Sequence, residues 1–116
     1  MARLRNVTID CQNPAKLAEF WKAATGYSIA FSNEFVAELL PPEKGHPHIL
    51  LLQVPEHKSV KNRVHVDLEA QDREAEIERL EDLGATRGET VRWEKLVWTV
   101  MQDPEGNEFC VAEPHD

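Results

Sequence analysis

The sequence predicts an α+β fold made of two similar modules, each in the order β-α-β-β-β. Three observations carry that expectation. Several short segments alternate apolar and polar residues with a period of two, as half-buried strands do. Two longer segments place apolar residues at helical spacing. The caps fall in step: the candidate N-caps Asn13 and Asp72 are 59 residues apart, and the helix-ending Gly26 and Gly84 are 58 apart. What repeats is periodicity, caps and turns rather than letters.

The elements follow in order. Val7, Ile9 and Cys11 alternate with Asn6, Thr8 and Asp10, which predicts a strand over 4–11. Asn13 can accept N–H bonds as an N-cap, and Pro14 suits the first helical position. Leu17, Phe20, Trp21 and Ala24 form one apolar face of a helix over 14–25, and Gly26 stops it. Strands are expected over 27–31 and 35–39, with a turn at Ser32-Asn33-Glu34, and over 49–54 after a loop through Pro41-Pro42 and Gly45-His46-Pro47. Residues 55–62 are polar and read as the connection, which sets the modules at about 1–56 and 62–116 within one domain. Val64, Val66 and Leu68 then alternate with His65, Asp67 and Glu69 in a strand. A second helix over 72–83 shows the stripe Ala75, Ile77, Leu80 and Leu83. Strands over 86–92, 95–102 and 108–112 complete the module, the last two separated by the turn Asp103-Pro-Glu-Gly-Asn107.

Composition removes whole classes of function. The formal charge is -8, from 21 acidic against 13 basic residues, and the sequence shows no basic face to neutralise phosphates. Nucleic acid and anionic membranes are therefore not expected partners. No stretch approaches the roughly 20 apolar residues that span a bilayer. The first ten residues carry no apolar run that could act as a signal peptide, so a reducing cytoplasm is expected, with Cys11 and Cys110 as free thiols.

Two stretches carry a family resemblance. "DCQNPAKLAEFW", Asp10 to Trp21, looks like the strand–helix junction of the glyoxalase/bleomycin-resistance (vicinal oxygen chelate) superfamily. "DPEGNEFCV", Asp103 to Val111, looks like its closing turn and last strand, and "LLQVPEHKSVKNRVHVDL" is similar to its bacterial glyoxalase-like branch. The resemblance implies curved sheets around an open cleft, with the helices outside. It also implies four metal-ligand positions in many relatives, one on the first and one on the last strand of each module. These fall on Asn6, Gln53, His65 and Cys110, the last where a metal-binding relative typically has Glu.

That set suits a divalent ion poorly. Zinc sites use imidazole, thiolate or carboxylate donors, and here neutral amides fill two of four places. The expectation is no catalytic metal and no other cofactor; a metal, if held at all, would rest on His65, Cys110 and Gln53. Cys110 also reads as a small buried apolar side chain. His65 reads as a cleft residue or a scaffold histidine. Glu108 is a cleft acid or a solvated strand residue. Phe20 and Trp21 are expected in the core, and Trp93 or Trp98 can line the cleft or simply pack. His46, His48, His57 and His115 are expected in loops or the tail, exposed.

Alternation sorts faces. If Val7, Ile9 and Cys11 pack under the helix, then Asn6, Thr8 and Asp10 face the cleft. His65, Asp67 and Glu69 do so in the second module, with Glu108 and Cys110 on the last strand. Such an acidic cleft suits a cationic or amine-bearing ligand better than an anionic one. The expected function is binding of a small molecule without a catalytic metal. The alternative is a metal-dependent lyase, isomerase or dioxygenase-type enzyme, with Asp67 or Glu69 beside His65 in acid–base work. A third reading is a structural dimer without ligand chemistry. A homodimer is expected, since the sheet edges need covering.

Overall fold

The computed structural model of the chain describes residues 1–114. The chain divides into two units, Met1–His57 and the stretch from Lys58 on. Each carries one helix and one four-stranded mixed sheet, so the α+β class and the repeated β-α-β-β-β order hold.

In the first unit β1 (Asn6–Cys11) leads into α1 (Pro14–Thr25), then β2 (Ser28–Ser32), β3 (Val36–Leu40) and β4 (His48–Gln53). The strand order is β1-β4-β3-β2. β1 runs parallel to β4, which the helical crossover requires, and the remaining pairs are antiparallel. Asn13 caps α1 by accepting the Lys16 amide at 3.2 Å. At the other end Gly26 adopts φ +79 and donates its amide to the Lys22 carbonyl. Few residues besides glycine take that backbone conformation without strain. The helix buries Leu17, Ala18, Phe20, Trp21 and Ala24 against Ala37, Leu39 and Leu51 of the sheet. The Phe20 and Trp21 rings meet edge-to-face at 5.3 Å. Each such large side chain contributes about 1.5–3 kcal/mol on burial.

In the second unit β5 (Val66–Glu69) precedes α2 (Arg73–Asp82), β6 (Thr86–Trp93), β7 (Leu96–Gln102) and β8 (Glu108–Ala112). The order β5-β8-β7-β6 matches the first sheet place for place. Asp72 caps α2 through the Ala75 amide at 3.0 Å. The helix stripe is narrower than expected. Ile77 and Leu80 are buried, together with the stem of Arg73, whereas Ala75 and Leu83 are exposed. Arg73, Ile77 and Leu80 follow the i, i+4, i+7 spacing of one face, and Ala75 lies off it. Arg73 donates to Glu113 at 3.0 Å and to the buried Thr99 hydroxyl at 2.7 Å, which ties helix to sheet. β6 bulges between Arg87 and Thr90, where Gly88 passes so close to β7 that a Cβ would lie 2.7 Å from the Val100 carbonyl oxygen.

Asp103 closes the β7–β8 turn. Its carboxylate accepts the Glu105 amide at 2.9 Å and the Asn107 amide at 3.0 Å while 2% exposed. Among the described residues no helix is long and apolar enough to cross a membrane.

Candidate functional site

Each sheet has one face packed on its helix and one open face, and the register states which residues share the open one. In the second unit Asp67 pairs with Cys110 and Glu69 with Ala112 across β5 and β8, and Val100 pairs with Cys110 on the other side. Phe109 and Val111, fully buried, point to the helix. His65 stands one residue before β5, so the strand is shorter than the alternation of Val64, Val66 and Leu68 suggests, and Val64 is exposed.

Three of the expected residues come together there. His65 Nε2 lies 3.5 Å from Asp67 Oδ1, and donor atoms of His65, Asp67 and Cys110 all fall within 4.8 Å of one another. Cys110 is 4% exposed. Burial pushes its thiol pKa up, and the neighbouring Asp67 carboxylate adds to this by charge and hydrogen bond, against a smaller opposing pull from Lys61. The thiol is therefore protonated and unreactive at neutral pH, because reactivity belongs to the thiolate.

Glu108 shares this face but is already engaged, as neither a free cleft acid nor a solvated residue. Its side chain is 10% exposed, accepts from Lys58 Nζ at 2.7 Å and accepts the Asn62 amide. Burial would raise its pKa; the hydrogen bond from Lys58, the Asn62 amide and the charges of Lys58 and Lys61 outweigh that, and the carboxyl ends below its ordinary range. The residue thus anchors the start of this unit to β8. Of the tryptophans, Trp98 pairs with Ala112 on the open face and is half-buried, while Trp93 is exposed at the β6–β7 turn.

In the first unit Asn6, Thr8 and Asp10 pair with His48, Leu50 and Leu52 of β4. Thr8 and Asp10 are exposed, and Asn6 Nδ2 donates to Thr8 Oγ1 at 3.0 Å. Gln53 corrects the expected set. It pairs with Cys11, whose side chain is buried on the helix side, so the alternation turns Gln53 away from Asn6. Its amide donates instead to the Gln12 carbonyl at 3.3 Å. Leu50, paired with Thr8 as Cys110 is with Asp67, holds the matching place.

His48 is a second correction. It opens β4 rather than lying in the preceding loop, is half-buried, and its Nδ1 sits 2.9 Å from Glu38 Oε2. Sequence reasoning missed this pair because Pro47 drew the strand boundary past it. The alternation of His48 with Leu50 and Leu52 was the available signal. His46 and His57 are exposed as expected, and His115 lies outside the described residues.

The glyoxalase-like domain family model matches residues 6–112, nearly the whole described chain. The chain belongs to the glyoxalase-like domain family. A solved glyoxalase/bleomycin resistance protein/dioxygenase family enzyme from Burkholderia phytofirmans PsJN is 17% identical, with TM-score 0.77 over 97% of this chain and 98% of that one. The fosfomycin resistance protein FosX from Listeria monocytogenes is 13% identical, with TM-score 0.78 over 99% and 95%. A lactoylglutathione lyase from Agrobacterium tumefaciens is 17% identical, with TM-score 0.69 over 97% and 94%. At these identities the likeness is one of fold. No curated protein sequence matches the chain.

The metal that many members of the superfamily hold fits this glyoxalase-like chain poorly. In the first unit one of the two positions, Asn6, offers only a neutral amide oxygen, a weak donor for zinc or nickel, and the other, Gln53, faces the helix side. In the second unit His65, Asp67 and Cys110 are within reach of one ion, yet the thiol must first give up a proton that its surroundings hold.

Proposed function

We propose that this glyoxalase-like protein binds a small cationic molecule on the open faces of its sheets and needs no catalytic metal to do so. The observation that carries the reading is the fate of the first module's two ligand positions: a neutral amide, which is a weak metal donor, and a glutamine turned to the helix side. What the open faces offer instead is exposed carboxylate, at Asp10 on one sheet and at Asp67 and Glu69 on the other. Exposed carboxylates attract ammonium groups and repel anions. The test is a thermal-shift and calorimetry series on EDTA-treated protein with organic ammonium ions against carboxylates and phosphates. Stabilisation by amines alone supports the reading; stabilisation by anions alone overturns it.

A second reading, a metal-dependent lyase or related enzyme, is favoured by the grouping of His65, Asp67 and Cys110 within 4.8 Å. Stoichiometric zinc in protein purified without a histidine tag, lost together with several degrees of melting temperature on chelation, would establish it over the first.

The assembly proposed is a homodimer in the cytoplasm. Phe31 and Phe35, at and beside the edge strand β2, are 48% and 60% exposed, a surface that a second copy would cover. Light scattering should give twice the 13.3 kDa chain mass at micromolar concentration; the mass of one chain would refute the dimer.

A further inference from the structure

We infer that Glu38 and His48 form a hydrogen-bond acceptor for a protonated amine on the open face of the first sheet. The inference rests on the cationic-ligand reading above and adds the residues that meet the charge.

The register places both side chains on that face. His48 pairs with Asn6, and Glu38 pairs with Leu50, two residues along β4 from His48. The imidazole Nδ1 lies 2.9 Å from Glu38 Oε2, with side-chain exposures of 35% and 23%. Both residues sit on strands rather than loops, and the start of β4 is held firmly: the His48 amide donates to the Arg5 carbonyl at 3.0 Å, and the Tyr27 hydroxyl donates to the Pro47 carbonyl at 2.8 Å. Nε2 has no hydrogen-bond partner among the described residues.

An ionised carboxylate only accepts, so in the neutral imidazole the shared proton sits on Nδ1. Nε2 then carries the lone pair. A lone pair backed by a carboxylate is a poor partner for an anion and a good one for an ammonium N–H, because the negative charge of Glu38 stands behind the ring. The neighbouring Leu50 is half-buried and offers apolar surface beside the polar atoms. Apolar lining with a few placed polar groups is the usual composition of a small-molecule site. No proton needs to move for binding.

The experiment uses the full chain labelled with nitrogen-15, with the His48 ring assigned from an H48Q variant. At neutral pH, long-range proton–nitrogen correlation should show the Nδ1–H tautomer for His48, and E38Q should abolish that preference. Benzylammonium is then titrated in, with benzoate as control. Benzylammonium should move the His48 Nε2 resonance and benzoate should not, and H48Q and E38Q should each weaken benzylammonium about tenfold. An Nε2–H tautomer in the wild type overturns the dyad whatever binds. Benzylammonium that moves resonances at Asp67 or Glu69 but leaves His48 unmoved overturns this inference and spares the broader reading. Failure of every amine to bind overturns both.

Discussion

Replacing Glu108 tests whether the polar contacts beside the second sheet's open face hold the structure or merely decorate it. The carboxylate is 10% exposed and meets Lys58 Nζ at 2.7 Å and the Asn62 amide. A hydrogen bond to a charged group is worth about 1.5–3 kcal/mol, and breaking a fully buried pair costs about 3–5. Lys58 is 23% exposed and can return to water, so the lower range applies. Glu108→Ala, losing both contacts, should cost about 2–3 kcal/mol. Glu108→Gln keeps an acceptor for the Asn62 amide and should cost about 1 kcal/mol. Urea unfolding at neutral pH should show the midpoint falling with an unchanged slope, and trypsin should cut faster at Lys58 and Lys61. The pH dependence follows from the lowered pKa of Glu108. A carboxylate depressed in the folded state adds stability above its unfolded pKa, about 4.3, and loses it as pH falls through the folded value. The gap between wild type and Glu108→Gln should be full at pH 7 and close in that acidic window. A Glu108→Ala protein within about 0.5 kcal/mol of wild type would refute the reasoning, since that is the scatter of ordinary surface changes.

Cys110→Glu should raise nickel or zinc affinity, measured by calorimetry, because it supplies a carboxylate where the thiol holds its proton; unchanged affinity would refute the claim that this proton limits metal binding at the site. Asp67→Asn should lower the Cys110 thiol pKa, since the Asp67 carboxylate helps to raise it, and so shift the alkylation-rate profile to lower pH. Gly88→Ala should destabilise by about 1–3 kcal/mol in thermal unfolding, because the new Cβ meets the Val100 carbonyl oxygen at 2.7 Å and backbone must move.

Much of the fold was legible because its signals are local. Asn13, Pro14, Gly26 and Asp72 act through hydrogen bonds and dihedrals within a few residues of themselves, and their places in the structure match. The candidate site was legible in part. His65, Asp67 and Cys110 come together because Asp67 and Cys110 are paired residues on neighbouring strands, and the alternation correctly put both on one face. Gln53 was misplaced by three residues from Leu50, an odd shift that reverses the face of a strand residue, and no local signal sets that register. The Glu38–His48 pair was missed for a related reason: its members are ten residues apart and meet only through the pairing of β3 with β4. Glu108 read as either cleft acid or solvated residue because its partners, Lys58 and Asn62, lie in a segment without periodicity.

The matching strand orders β1-β4-β3-β2 and β5-β8-β7-β6 have an evolutionary consequence. An ancestral half-length gene copied in tandem would produce them, and the two descendants then mutate separately under one promoter. Corresponding places have already parted: Thr8 beside Leu50 in one copy answers to Asp67 beside Cys110 in the other. One unit carries titratable chemistry at the paired position, while the other has Thr8 and Leu50 there and carries its histidine at His48 instead. Tandem duplication thus lets a single chain try two chemistries on one scaffold, with the helix-facing residues of each copy constrained by packing and the open faces free to diverge.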